Sequence, residues 1–282
     1  MPGTFCDDSK PDMEEKKSNY QGTTEISALR PGDCNSGFVD TRYIHYCTQE
    51  ITMDPQTLPA AEQAVYTRIK EQYTVAFEPL QFGEIRLNLL TVTDLEALLD
   101  GKDPLKNVSD FPFWVKLWES AIVLGQYLSG RNFKEGTSLL ELGAGLGVPG
   151  LAAAAAGCSV TLSDYEELIL DFEKVSAAAS RLDNVSFMNL DWKNPPEMQR
   201  YDVIAGAEIL FREEFFEPLL HVMRKSLKPG GVIYLAHDIK RNSLKPFLEM
   251  AESEYTIAAS KKTLKSLEED KVILLNRLIP KG

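Results

Sequence analysis

The chain has little from which to build a metal centre or a disulfide framework. Its three histidines, His45, His221 and His237, are widely spaced, which argues against a site of clustered imidazoles. The four cysteines, Cys6, Cys34, Cys47 and Cys158, form no CxxC pair, so free thiols in a reducing compartment are expected. No apolar run approaches the roughly 20 residues of a membrane span. The opening MPGTFCDDSKPDMEEKK lacks the apolar stretch of a signal peptide. These absences point to a soluble cytoplasmic protein, off the membrane and expected to be a monomer. Basic excess is missing too: the formal net charge of the 282 residues is −12. Both the first 60 residues and the remainder are acidic, so nucleic acid is not an expected partner. A basic protein or an uncharged small molecule suits this balance better.

What is present reads as three stretches. Residues 1–57 are rich in charge, Pro, Gly and Ser, and the composition predicts that the first 35 or so are mobile. Within residues 36–54, Phe38, Tyr43, Ile44, Tyr46 and Ile51 are candidates to dock on a core. Residues 58–134 form a helical and β extension. Ala61, Val65 and Ile69 share one face of a helix between Pro59 and Tyr73. FGEIRLNLLTV (82–92) alternates as a strand, and Thr93 is placed to cap a short helix with Glu96 completing a capping box. Leu117, Ala121, Leu124 and Leu128 line a further helix. From residue 135 to 282 strands and helices alternate: SLLEL, helix 147–156, SVTLSD, helix 166–180, VSFMNLD, YDVIAGAE, helix 213–226, the turn KPGG, VIYLAHD, a helix near 243–252, and KVILLNRL. That alternation predicts an α/β fold with a mainly parallel, doubly wound sheet.

The first strand of this core runs into SLLELGAGLGVPGLAAAAAG, residues 138–157. A glycine-rich turn between strand and helix lets backbone N–H groups approach a ligand, and such sheets bind at the carboxyl ends of their strands. Two ligands compete. GLGVPG (145–150) matches the dinucleotide pattern GxGxxG, and Asp164 lies near the ribose-acid distance. The register is wrong for it, because Gly145 stands beyond Glu141, Leu142 and Gly143, and an acid beside a pyrophosphate would repel it. The whole stretch LLELGAGLG suits a cationic ligand without phosphate, such as S-adenosylmethionine. Glu141 would then lie near its ammonium, and Gly143, Ala144, Gly145 and Gly147 would let the backbone close over it. Asp164 would hold the ribose hydroxyls, with Asp191 and Trp192 of LDW beside the adenine.

On LLELGAGLG, Asp164 and Asp191, residues 111–282 resemble the seven-strand S-adenosylmethionine-dependent methyltransferases. FWVKLWESAIVLGQYL, LDW and AEILF narrow the resemblance to the family 16, lysine methyltransferase-like group. The resemblance implies a Rossmann-like seven-stranded sheet with an antiparallel last strand, and S-adenosylmethionine as cofactor with no metal. It also implies a protein substrate, because that group includes many enzymes that methylate lysine in non-histone proteins. Its [DE]-x-x-[YF] hallmark reads Glu208-Ile209-Leu210-Phe211 here, with Phe in place of the commoner Tyr. The Asn often found near Val175 is missing. The group's pattern places Trp118 and Ala207 in the cofactor pocket and Glu208 and Phe211 at the substrate.

Methyl transfer needs a neutral nucleophile in line behind the sulfonium methyl, at about 3–3.5 Å. A lysine amine, with a free pKa of about 10.4, arrives protonated. Glu208 is therefore expected to orient the amine and accept charge, and Phe211 to wall its channel. His237 and Asp238, at a strand end, are candidates for the rim. A methyltransferase for a small molecule or another protein atom, and a non-catalytic or dinucleotide-binding Rossmann protein, are the alternatives.

Overall fold

A computed structural model of the chain describes residues 38–39, 53–99, 111–265 and 270–282. The expected mobility of the first 35 residues, and the docking of Tyr43, Ile44, Tyr46 and Ile51, lie outside the described residues. Phe38–Val39 forms a short strand, β1.

The extension begins with α1 (Ala60–Gln72), whose Ile69 is buried while Ala61 stays exposed. A hairpin follows, β2 (Val75–Phe82) and β3 (Ile85–Val92). Phe82 pairs with Ile85, so the loop is two residues long and begins at Gly83 with φ +59°, a position that favours glycine. The sequence reading found β3 but not β2, whose Pro79 argues against a strand. A two-stranded ribbon has only edges and tolerates it. A four-residue α2 (Glu96–Leu99) comes next. Its cap departs from expectation: Asp94, not Thr93, accepts the Glu96 N–H at 3.0 Å, while the Thr93 hydroxyl donates to the Thr74 carbonyl.

The core elements are α3 (Glu119–Ser129), β4 (Ser138–Leu142), α4 (Val148–Ala155), β5 (Ser159–Asp164), α5 (Glu167–Ala179), β6 (Val185–Asn189), β7 (Tyr201–Ala207), α6 (Phe216–Ser226), β8 (Leu227–Asp238), α7 (Leu244–Ala251), β9 (Tyr255–Leu264) and β10 (Lys271–Pro280). The sheet order is β1-β9-β10-β8-β7-β4-β5-β6. β4 to β8 run parallel, and β10 is antiparallel to both of its neighbours. β4 to β10 make the expected seven-stranded sheet with an antiparallel last strand, and β1 adds an eighth at the edge. KPGG, read as a turn, is drawn into β8 across an irregularity in its pairing with β7.

Each central strand feeds two cores. Leu139 and Val203 face the layer of α3 and α4, while Leu140, Leu142 and Ile204 face α6 and α7. The β3 edge is finished by serines of α5: Ser176 and Ser180 hydroxyls accept the N–H groups of Leu90 and Asn88, each at 2.9 Å. Strand order reverses between β4 and β7, and the ligand site of such a sheet opens there, at the carboxyl ends.

Candidate active site

The loop from Gly143 to Gly147 leaves β4 by three left-handed glycines, with φ +58° at Gly143, +57° at Gly145 and +70° at Gly147. Gly143 and Gly145 are half-buried, whereas Ala144 and Gly147 are buried. A Cβ on Gly143 would meet Ile209 at 3.0 Å and Trp192 at 3.2 Å, and one on Gly145 would approach the Trp114 carbonyl at 3.5 Å. Gly147 caps α4, and Pro149 falls in its first turn, where no N–H is needed.

Asp164, at the end of β5, accepts Gly145 N–H on Oδ2 at 3.0 Å and Tyr165 N–H on Oδ1 at 2.7 Å. It is half-buried and aimed at the loop. Burial pushes its carboxyl up to about 6, against the pull of those N–H bonds. With the Glu166 N–H also acting on it, the carboxylate keeps about one lone-pair site for a ligand hydroxyl.

Glu141 requires a correction. The sequence reading placed it beside the ligand's ammonium. Its side chain is 1% exposed, and Oε2 accepts the Gly150 N–H at 2.7 Å. It braces the first turn of α4 from behind and presents no surface to a ligand. Burial pushes its carboxyl up to about 8, with Asp164 adding to the rise. Glu173 of α5, which the sequence reading passed over, is fully buried beside it, and neither of its oxygens has a hydrogen-bond partner. Burial, then Asp164 and Glu141, hold it well above the usual carboxylate range. In the sequence it looks like one more acid in a charged helix.

At the other side of the switch point, Ala207 ends β7 half-buried beside Ala236. Glu208 then takes φ +56°, a strained conformation for a residue with a side chain. Its carboxylate accepts Asp238 N–H on Oε1 at 2.7 Å, and both Nε–H (2.9 Å) and Nη2–H of Arg241 on Oε2. Arg241 was not read as a site residue, because DIKRNS looks like a solvated basic turn. A cleft of about 220 Å³ is lined by Glu208, Arg241, Asp238 and Trp118 among others. Trp118 therefore shares Glu208's cleft. Its indole donates to the Phe113 carbonyl and stacks on the Phe113 ring, with the Lys116 ammonium 4.3 Å above. A larger open cleft of about 530 Å³ holds Phe211, Asp238 and Arg241.

Phe211 is 51% exposed and is not a core residue. With Trp192 and Phe215 it makes an aromatic trio, ring centroids 5.4–6.3 Å apart. Trp192 thus joins the glycine loop to Phe211. Asp191 lies on this side as well, with its two oxygens engaged by the Lys193 N–H and the Asn194 amide. Those bonds, the Asn194 amide first, hold it below its ordinary value. His237 is buried, away from the rim, and its ring nitrogens have no partner. Burial, and then Arg241, pull its pKa down to about 3, so the imidazole is neutral. Cys158 is buried behind α4 as a free thiol.

The described residues contain no group of three His, Cys, Asp or Glu that would hold a metal, and no helix long and apolar enough to cross a membrane. The donor set does fit S-adenosylmethionine. It has a loop with three left-handed glycines, an acid at its mouth and buried acids beneath it.

The sequence pattern of the family described as "Lysine methyltransferase" matches residues 112–254. The chain belongs to this family. It is an S-adenosylmethionine-dependent methyltransferase. Protein N-lysine methyltransferase METTL21A of Xenopus tropicalis is 34% identical over 148 residues, which are 50% of this chain and 68% of that one. Histone-arginine methyltransferase METTL23 of Rattus norvegicus is 38% identical over 111 residues, 37% of this chain and 49% of that one. Among solved structures, the precorrin-6y C5,15-methyltransferase of Geobacter metallireducens GS-15 superposes with a TM-score of 0.50 at 13% identity. The match covers 61% of this methyltransferase and 92% of that chain, a likeness of fold alone.

Proposed function

We propose that this methyltransferase moves a methyl group onto a side-chain nitrogen of a protein, a lysine amine, acting as a monomer in the cytoplasm. The observation that carries the reading is Glu208. It is a carboxylate fixed in a strained turn at the strand-order reversal, in a cleft with Trp118, and the exposed Phe211 lines the other cleft, which shares Asp238 and Arg241 with it. A carboxylate beside aromatic walls suits an amine on a long apolar stem. The similarity to METTL21A, described as acting on protein N-lysine, supports the same acceptor.

Bound S-adenosylmethionine supplies an electrophilic methyl carbon on a positively charged sulfur. Around it, Gly143, Ala144, Gly145 and Gly147 shape the backbone cradle. Asp164 would hold the ribose hydroxyls, Asp191 and Trp192 would stand on the adenine side, and Ala207 would leave room at the end of β7. Trp118, in the cleft of Glu208, would border the methyl on the acceptor side. Glu208 orients the incoming amine and takes part in moving its proton away, and Phe211 walls the approach. A lysine amine would have to reach the methyl carbon with its lone pair free, so its proton would pass to the solvent or to Glu208.

The test is incubation of cell extract with radiolabelled S-adenosylmethionine, with and without the enzyme, then mass spectrometry of the labelled band. Label in methyl-lysine of a protein is expected. Label in arginine or histidine would move the acceptor nitrogen, and label confined to small molecules would overturn the reading.

A further inference from the structure

Glu208 does not wait for its acceptor as a bare carboxylate. A carboxylate has about four lone-pair sites. Asp238 N–H fills one on Oε1, and Arg241 fills two on Oε2 through Nε–H and Nη2–H. One site is left, on Oε1. An ammonium brings three donors and no lone pair. A neutral amine can give one N–H to that site and keep its lone pair for the methyl carbon.

Charge points the same way. Glu208 is nearly enclosed, its side chain 6% exposed, and Arg241 is 29% exposed. The pair is close to neutral as a unit, so the carboxylate alone does not favour a cation. A fixed guanidinium next to a lysine ammonium disfavours its charged form. The other charged groups around these clefts are balanced in sign: Lys116 and Glu119 ahead of and in α3, Asp238 at the end of β8 and Lys240 after it, Glu213 before α6, and Lys271 on β10. Asp238 spends one oxygen on the Lys240 N–H. Arg241's field is felt nearby at His237, where it adds to the effect of burial in keeping the imidazole neutral.

We propose that Arg241 is a positioning residue of methyl transfer, which fixes Glu208 with a single free acceptor site and favours the uncharged form of the acceptor amine. This rests on the reading of Glu208 as the amine-facing acid. The electron count of the transfer is unchanged; what Arg241 alters is the fraction of amine that reaches the methyl carbon with its lone pair free.

The test compares the wild-type chain with Arg241→Met, Arg241→Lys and Glu208→Gln. Tritiated S-adenosylmethionine and a dilution series of heat-treated cell extract serve as methyl donor and acceptor source, from pH 6.5 to 9.5. Arg241→Met should lose about ten-fold or more in limiting rate near neutral pH, as for a ten-fold rise in the amine's proton affinity. Its half-saturating extract level should stay level or fall, and the lost rate should return toward pH 9.5. Arg241→Lys keeps the charge and should keep most of the rate and the wild-type pH profile. Calorimetric affinity for S-adenosylmethionine should be unchanged in both. A loss in Arg241→Met that is the same at every pH, or a wild-type rate, overturns the proposal. So does failure of both Arg241 variants to bind S-adenosylmethionine, which would make the residue part of the fold. If Glu208→Gln is slow while Arg241→Met shows no alkaline recovery, only this inference falls. If Glu208→Gln turns over like wild type, the assignment of Glu208 falls with it.

Discussion

On the β4–β5 side of the switch point the surface proposed for the cofactor is backbone; on the β7–β8 side the clefts are lined by side chains. Gly143 and Gly145 present bare main chain, and what steadies them lies behind: Asp164 on the Gly145 N–H, Glu141 on the Gly150 N–H. Across the switch point the walls are Glu208, Arg241, Trp118 and Phe211, held by an ion pair and ring contacts. A backbone wall admits almost no substitution, because the space behind it is already full. A side-chain wall can be re-cut one residue at a time. METTL21A and METTL23 are described with different acceptor residues.

The contrast breaks most visibly at Gly150. A Cβ there would collide with Leu162 and lie 2.6 Å from Glu141 Oε2, inside a helix that cannot shift without moving the loop. Gly150→Val should cost toward ~3 kcal/mol of stability or more, the range for overpacking a filled core. It should also abolish S-adenosylmethionine binding. Thermal melts and calorimetry would show it, and a variant that melts and binds like wild type would contradict the tight packing behind the loop.

On the acceptor side the largest effect belongs to Glu208. Glu208→Gln should lower turnover by about 10²-fold, as for loss of an orienting or general base group. The S-adenosylmethionine affinity should hold, and the defect should ease as pH rises. Equal losses of cofactor binding and turnover would put Glu208 in the other half of the cleft.

Asp164 sharpens the comparison from the cofactor side. Asp164→Ala should weaken S-adenosylmethionine binding by about 1.5–3 kcal/mol, the worth of hydrogen bonds to a charged group. The carboxyl titrates at about 6, so the ionised acceptor is present above that pH. Affinity of the parent should therefore fall as pH drops through 6, and Asp164→Asn should flatten that fall. Calorimetry from pH 5 to 8 decides it.

The difference between the halves also explains what was legible. Backbone walls need glycines, and glycines stand in the sequence: the glycine turn after β4 and the succession of β4 to β8 along the chain could be read. β9 could not, because YTIAASKKTL near the sheet edge is mostly exposed and does not alternate as a half-buried strand does. Glu141 could be placed at the strand end, but its direction could not, since one position on β4 separates the face under α4 from the other. Arg241 was hidden because its partner lies 33 residues earlier in the chain. Glu173 was hidden because no pattern of neighbours distinguishes a solvated acid on α5 from a buried one.

Glu173 gives the smallest effect and the plainest sign. Both of its oxygens are buried without a partner, and a Cβ on Gly147 would lie 3.6 Å from its Cγ. The folded chain therefore holds it protonated, its pKa well above the usual 4.5, while the unfolded chain does not. An acid raised in this way contributes stability that is complete below the ordinary value and is lost as pH climbs toward the raised one. Glu141, at about 8, and Asp164, at about 6, have the same sign. His237 has the opposite one: depressed from 6.5 to about 3, it contributes above 6.5 and loses that contribution on acidification toward 3. The ligand-free chain should lose stability from these acids as pH rises from about 4.5 through 8. Glu173→Gln cannot ionise, so its advantage over the parent should grow with pH. The melting gap should widen as pH rises from 5.5 to 8.5. Saturating S-adenosylmethionine brings positive charge over these acids and should narrow it again. A gap that stays constant with pH, or one that cofactor leaves untouched, would mean that Glu173 is not held neutral beneath the loop.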